Sequence, residues 1–213
     1  MVRKVFQILM CFVSLLLLAG PATAEDKVEK KKASKNGYGV GEIKKVAGKL
    51  AKAMEIDNSK RADVMNALDR GLQSSEFKEG VKDKPVSAVF VYRAGEGGVI
   101  VKFLKGDGKI SFAGGRQKGT IYIKAVSAGA QIGGSAVWGV GLVMGLKKAD
   151  YFGGDYTGKA THATAGDESA PGGQFLSLDT EEEEKKHDIL LLFSGRGLSA
   201  GVGGETLSIT PDW

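Results

Sequence analysis

"GRGLSA", residues 195–200, comes after the apolar run "ILLLFS" and has the GxGxxA spacing with which a dinucleotide-binding turn brings its backbone against a pyrophosphate. That chemistry needs a helix, a further strand and an acidic residue for the ribose after the turn. The chain instead continues as "GVGGETLSITPDW", glycine-rich and β-like, so the better reading is a strand, a glycine-permitted turn and a last strand. His162 and His187 are the only histidines, with neither a cysteine partner nor an HxxxH spacing, and no zinc site is expected. His187 beside Asp188 invites a triad with Ser194, but neighbours on a strand face opposite sides and no GxSxG elbow surrounds the serine. "DTEEEEKK" (179–186) is the composition of a solvated charge run. The sequence is therefore that of a protein without a catalytic constellation, a metal or a cofactor, and "GDESAPGG" (166–173) gives only a turn-rich loop.

These residues must be carried by a chain whose pattern changes near residue 85. From Glu42 to Ile56 the apolar residues Ile43, Val46, Ala47, Leu50 and Met54 share one helical face, and Lys44, Lys45, Lys49 and Lys52 share the other. A second helix starts near Asn58 or Ser59 and carries Val64, Met65, Leu68 and Leu72; Gly80 and Pro85 close the helical part. Beyond them the chain reads as short β runs: 86–92, 98–104, 109–113, 120–126, the stretch around 135–146, 155–163, 188–194 and 206–210. "KGDGK" (105–109) has the composition of a hairpin turn. With 32 glycines in 213 residues, the fold class expected is α+β: two N-terminal helices packed on a largely antiparallel, glycine-rich sheet or half-barrel.

One segment decides where such a protein lives. Ala125 to Leu146 has no charged side chain and is long enough to cross a bilayer as a helix. Within it Ala136, Trp138, Val140, Leu142, Met144 and Leu146 alternate with Val137, Gly139, Gly141, Val143 and Gly145. Period two is a strand's signature, with an apolar wall on one face and room for close approach on the other. The GxxxG spacings, Gly129 with Gly133 and Gly141 with Gly145, argue for a membrane helix pair, but the glycines dilute the hydrophobicity that drives insertion. A buried strand is the reading preferred.

The first 24 residues read as an export signal: Arg3 and Lys4, the apolar "ILMCFVSLLLLA", then Ala22-Thr23-Ala24 before a polar stretch. Cleavage after Ala24 would remove Cys11, the only cysteine, so the mature chain has no disulfide and is held by its core. It would also take two of the 30 basic residues and none of the 25 acidic ones, leaving a weakly basic protein. The densest basic run, Lys27 to Lys35, is interrupted by glutamate and lies in a charged linker assigned to residues 25–41, a pattern unlike a nucleic-acid interface. The domain assigned is 42–213, exported to the periplasm or secreted.

"SAGAQIG" (127–133), running into the apolar strand, resembles the SxGxQIG segment of the SYLF domain, a family of exported bacterial proteins and eukaryotic membrane-trafficking proteins. "FSGRGLSAGVGGETL" (193–207) is similar to that family's C-terminal "SRGLFAGVSLEG" signature, and "GDYTGKATHATAG" (154–166) resembles its small-residue stretch between the two. The likeness covers residues 125–210 and fades upstream, where "VSAVFVYRAGEGGVIVKF" has no counterpart of the family's "IIPSV" strand. A related alternative is another exported family with glycine-rich strands and an SH3-like barrel. The resemblance implies a non-catalytic module that binds membrane lipid head groups through a basic amphipathic N-terminal helix. The equivalent here is the 42–56 helix, whose Lys44, Lys45, Lys49 and Lys52 would each contribute about 1 kcal/mol at an anionic surface. Arg196, in the last turn, is a further candidate anion contact. Burying the helix's apolar stripe is worth about 1.5–3 kcal/mol per side chain whether it meets lipid or the sheet, and the lysines match no family motif.

The expected partner is thus an anionic lipid or the envelope surface, with no nucleic acid. The rivals are a small outer-membrane β-barrel or structural envelope protein, suggested by the alternating "TLSITPDW" end, and a protein-binding module whose partner nothing in the sequence names. Against the membrane barrel stand Pro211 and "ILLLF", which is apolar on both faces and fits a strand covered twice.

Overall fold

The computed structural model describes residues 37–97, 101–115, 118–128, 135–160, 172–194 and 205–213. The export signal, most of the assigned linker, His162 and Arg196 lie outside the described residues.

Among the described residues three helices precede the sheet, one more than the sequence pattern suggested. Helix α1 spans Val40–Ala53, and its first turn is held by Glu42, whose Oε2 accepts from the Gly39 N–H at 3.0 Å. Helix α2, Asn58–Gly71, is capped by Asp57, which accepts from the Lys60 N–H at 2.9 Å and stands one residue before the expected caps. Helix α3, Ser75–Gly80, is short and capped by Ser74, which accepts from Phe77 N–H at 3.1 Å. The folded part also begins before residue 42. Gly37 is buried, Tyr38 N–H donates to Val86 O at 2.8 Å, and the Tyr38 hydroxyl donates to Phe112 O at 2.7 Å.

Eight antiparallel strands close into a barrel: β1 (Val86–Gly97), β2 (Val101–Phe112), β3 (Lys118–Ala128), β4 (Ser135–Met144), β5 (Gly154–Ala160), β6 (Gly172–Leu178), β7 (Asp188–Ser194) and β8 (Glu205–Asp212). Their order around the barrel is β1-β2-β3-β8-β5-β6-β7-β4, returning to β1. The expected half-barrel is thus a complete one, with no open sheet edge among the described residues. Strand β6, "GGQFLSL", occupies the end of the expected turn-rich loop and the residues after it, where no strand was expected. Its alternation is masked because the inward side carries the polar Gln174 and the outward side carries Phe175, which packs under the helices.

The expected hairpin turn at 105–109 is not a turn. Residues 101–112 form one continuous strand, in which Gly106 and Gly108 face inward opposite Ala94 and Tyr92 while Asp107 faces outward to Arg93. The two glycines are there for clearance: a Cβ at 106 would lie 2.0 Å from Arg93 O, and one at 108 would lie 2.6 Å from Val91 O.

Strand β4 carries the period-two pattern as expected. Val140, Leu142 and Met144 face outward into a core shared with the helices, while Val137 and Val143 face into the barrel. The close approach expected for the glycine side comes from β1: a Cβ on Gly141 would lie 1.9 Å from Phe90 Cζ, and one on Gly139 would lie 2.6 Å from the Tyr92 ring. Strand β7 is covered twice, with Ile189 and Leu191 inside and Leu190 and Leu192 under α2, against whose Gly71 the Leu192 side chain packs. Helix α1 lies over β1 and β2, and α2 over β4 and β7.

The Gly141–Phe90 contact gives the first prediction. Gly141→Ala should destabilise the protein by about 1–3 kcal/mol or more, since neither β4 nor the ring can retreat inside a filled barrel. In a Phe90→Ala background, itself costing about 3–5 kcal/mol, the Gly141→Ala increment should shrink sharply. Urea unfolding of the four proteins measures the coupling; additive costs would reject the contact as its cause.

Candidate functional site

Aromatic side chains and one small cavity mark the described part of the interior. One end is filled by Phe112, Phe152, Tyr156, His187 and Trp213, with Phe152 and Trp213 stacked at 6.2 Å. Toward the other end a cavity of about 20 Å³ lies among Tyr92, Leu104, Gln174 and Phe193. That is space for about one water molecule, against the roughly 300 Å³ at which small-molecule pockets begin. Burial pushes the Tyr92 hydroxyl well above the usual phenol range, so it stays neutral.

His187 is structural. Its Nδ1 lies 2.7 Å from Lys185 O and its Nε2 2.8 Å from the Tyr156 hydroxyl. A carbonyl only accepts, so Nδ1 carries the proton and Nε2 accepts from Tyr156, which in turn accepts from Gly153 N–H at 3.2 Å. Burial lowers the His187 pKa, against smaller opposing contributions from the Lys185 carbonyl and Asp188; the nearby Lys84 lowers it further. Asp188 is held by Lys84 at 2.5 Å and by Ser177 at 2.7 Å. Ser194 stands at the far end of the seven-residue β7, about 20 Å away along the strand, so the structure does not bring these three together. In the 179–186 segment Glu182 pairs with Lys185 at 2.6 Å and Glu183 with Lys186. Among the described residues no cluster of His, Cys, Asp and Glu is arranged to hold a metal ion.

Charge is concentrated outside. Helix α1 has buried Ile43, Ala47, Leu50 and Ala51 against the barrel and α2, so its apolar stripe is not free to enter a bilayer. Lys44, Lys45, Lys49 and Lys52 are all exposed. Lys44 is engaged with Asp69 at 2.7 Å, which leaves Lys45, Lys49 and Lys52 without an ion pair among the described residues. Around the barrel from α1, Lys105, Asp107, Lys109, Thr120, Tyr122, Lys124, Thr206, Ser208 and Thr210 are among the outward residues of β2, β3 and β8. This second basic surface does not stand out in the sequence, because its residues alternate one by one with the barrel's interior.

That polarity is the reverse of a membrane-spanning barrel, which turns an apolar band outward and a polar lining inward. Among the described residues, no helix is long and apolar enough to cross a membrane.

No protein-family model matches the chain, and no curated protein does. Among solved structures it is similar to a β-barrel-like, uncharacterized protein from Brucella abortus, with 18% sequence identity and a TM-score of 0.44, over 84% of this chain and 98% of that one.

The lowered His187 pKa has a consequence for stability. The unfolded chain takes up the proton more readily, so the stabilisation is complete above about pH 6.5 and is lost as pH falls below it. Urea midpoints should therefore drop between pH 7.5 and pH 5.0, and His187→Gln should flatten that drop. Identical pH slopes for the two proteins would show that the histidine is not responsible.

Proposed function

We propose that this protein is an exported, non-catalytic envelope module that binds anionic lipid surfaces through charge on the outside of its barrel. The observation that carries the reading is the division of α1: its apolar side is fully engaged in the core, while Lys45, Lys49 and Lys52 stand exposed and unpaired among the described residues. The SYLF-like segments support a lipid role, and the exposed lysines favour contact with a surface. With the apolar stripe engaged, attraction is left to the charges, at about 1 kcal/mol per lysine near an anionic leaflet.

Binding of this kind has a defined salt dependence. The purified protein should sediment with vesicles containing phosphatidylglycerol, not with pure phosphatidylcholine, and should be released as ionic strength rises from 0.1 to about 1 M, where the Debye length falls to about 3 Å. The variant Lys45→Glu/Lys49→Glu/Lys52→Glu should bind at least about tenfold more weakly. Lys44 is left in place because reversing it would set two carboxylates against each other at Asp69. Wild-type affinity in the triple variant, or binding indifferent to salt, would reject the proposal.

A further inference from the structure

We infer that the outward face of β2 and β3, centred on Tyr122, is a second contact for anionic phospholipid, adjoining α1; the inference rests on the function proposed above and locates a surface for it. The register sets Lys105 directly opposite Lys124 on neighbouring antiparallel strands, with Lys109 opposite Thr120 on the same face. Like charges directly across a strand pair destabilise a sheet, and neither Lys105 nor Lys124 has an ion-pair partner among the described residues.

The acidic groups nearby do not neutralise the pair. Asp107 is bonded to Arg93 at 2.9 Å, and Asp155, beyond β8, is bonded to the Ser208 hydroxyl at 2.6 Å. Lys109 Nζ is turned to the Thr120 hydroxyl at 3.3 Å. Among the described residues of this face, Arg93, Lys105, Lys109 and Lys124 thus point outward with Asp107 as the one carboxylate between them. Tyr122, 52% exposed, stands directly opposite Asp107, with Lys105 and Lys109 on either side of that residue along β2 and Lys124 next on the same face of its own strand.

A phenol ring amid lysines suits the boundary between head groups and acyl chains, where the ring meets the apolar side and the ammonium groups meet phosphate. Because α1 lies over β1 and β2, the β2 lysines adjoin the helix that carries Lys45, Lys49 and Lys52. The two sets together give an anionic leaflet a broader contact than α1 alone. A nucleic acid offers the same anionic charge, so the experiment below sets an oligonucleotide against the vesicles.

Lys105→Glu tests this with opposite expectations for stability and binding. It replaces a repelling cross-strand pair with an attracting one, so the melting temperature should stay the same or rise. Vesicle binding should nevertheless fall by about fivefold or more, because the face loses one positive charge and gains a negative one. Tyr122→Ser should also weaken sedimentation with vesicles of phosphatidylglycerol and phosphatidylcholine while leaving its salt dependence intact. If wild type binds these vesicles and both variants bind equally well, the β2–β3 face is not a contact and the α1 reading stands. If wild type does not bind, the proposed function falls and this inference with it. Preferential binding of a single-stranded oligonucleotide over the vesicles would overturn the lipid assignment.

Discussion

The interior of an eight-stranded barrel is just wide enough for side chains to fill it, and here two rings from one strand set the terms. Phe90 and Tyr92 project inward from the middle of β1, and the strands paired on either side give way: Gly139 and Gly141 on β4, Gly108 on β2. A Cβ at any of the three would lie within 2.6 Å of a ring or backbone atom. Register is a consequence. Sliding β4 by one residue against β1 would set Val140 or Leu142 against the rings, turn the glycines toward the helices, and empty both cores together.

The helices answer a second constraint that the barrel creates. Strands β1, β4 and β7 are apolar on their outer faces as well, with Val89, Val91, Val140, Leu142, Leu190 and Leu192 turned away from the bore. Left uncovered, these would form a contiguous apolar patch of the kind that associates with other surfaces. Helices α1 to α3 cover it, contributing Ile43, Leu50, Val64, Leu68 and Phe77. The apolar side of α1 and the outer faces of three strands therefore satisfy one another, and lysines, threonines, a few carboxylates and Tyr122 are among the described residues left outside.

Much of this is legible in the sequence, and the failures have physical causes. The alternation in "AVWGVGLVMGL" marks both the strand and its two unlike faces, and the doubly apolar "ILLLF" marks a strand covered on both sides, because side-chain period and burial are local properties. "KGDGK" misleads because glycine serves two purposes, positive φ in a turn and absence of a Cβ beside a ring. Local composition does not separate them, and the partner that decides is β1, whose apolar pattern gives out after Tyr92 although the strand runs on to Gly97. Strand β6 is hidden because neither of its faces is uniformly polar or apolar. Closure of the barrel is not readable either, since it depends on β8 lying between β3 and β5 and on β4 joining β7 to β1. For the candidate surface, α1's lysines are visible as a helical face. The lysines of β2 and β3 are not, because Lys105 and Lys124 become neighbours only through strand register.

That register also sets one pair of surface charges apart from the others. A surface lysine in isolation needs no explanation, and several of the described ones stand alone; four have an acid beside them, Lys44 with Asp69, Lys84 with Asp188, Lys185 with Glu182 and Lys186 with Glu183. Counter-charges thus stand beside cations in a helix pair, a linker, two positions in one loop and, at Arg93 with Asp107, on the barrel wall itself. At Lys105 and Lys124 the chain does the opposite, setting two cations face to face where an acid on either strand would make a pair. Fold stability does not ask for that arrangement, since the positions point away from both cores and any polar residue would serve. An external anion would turn the repulsion into attraction, which is the physical basis of the proposed contact.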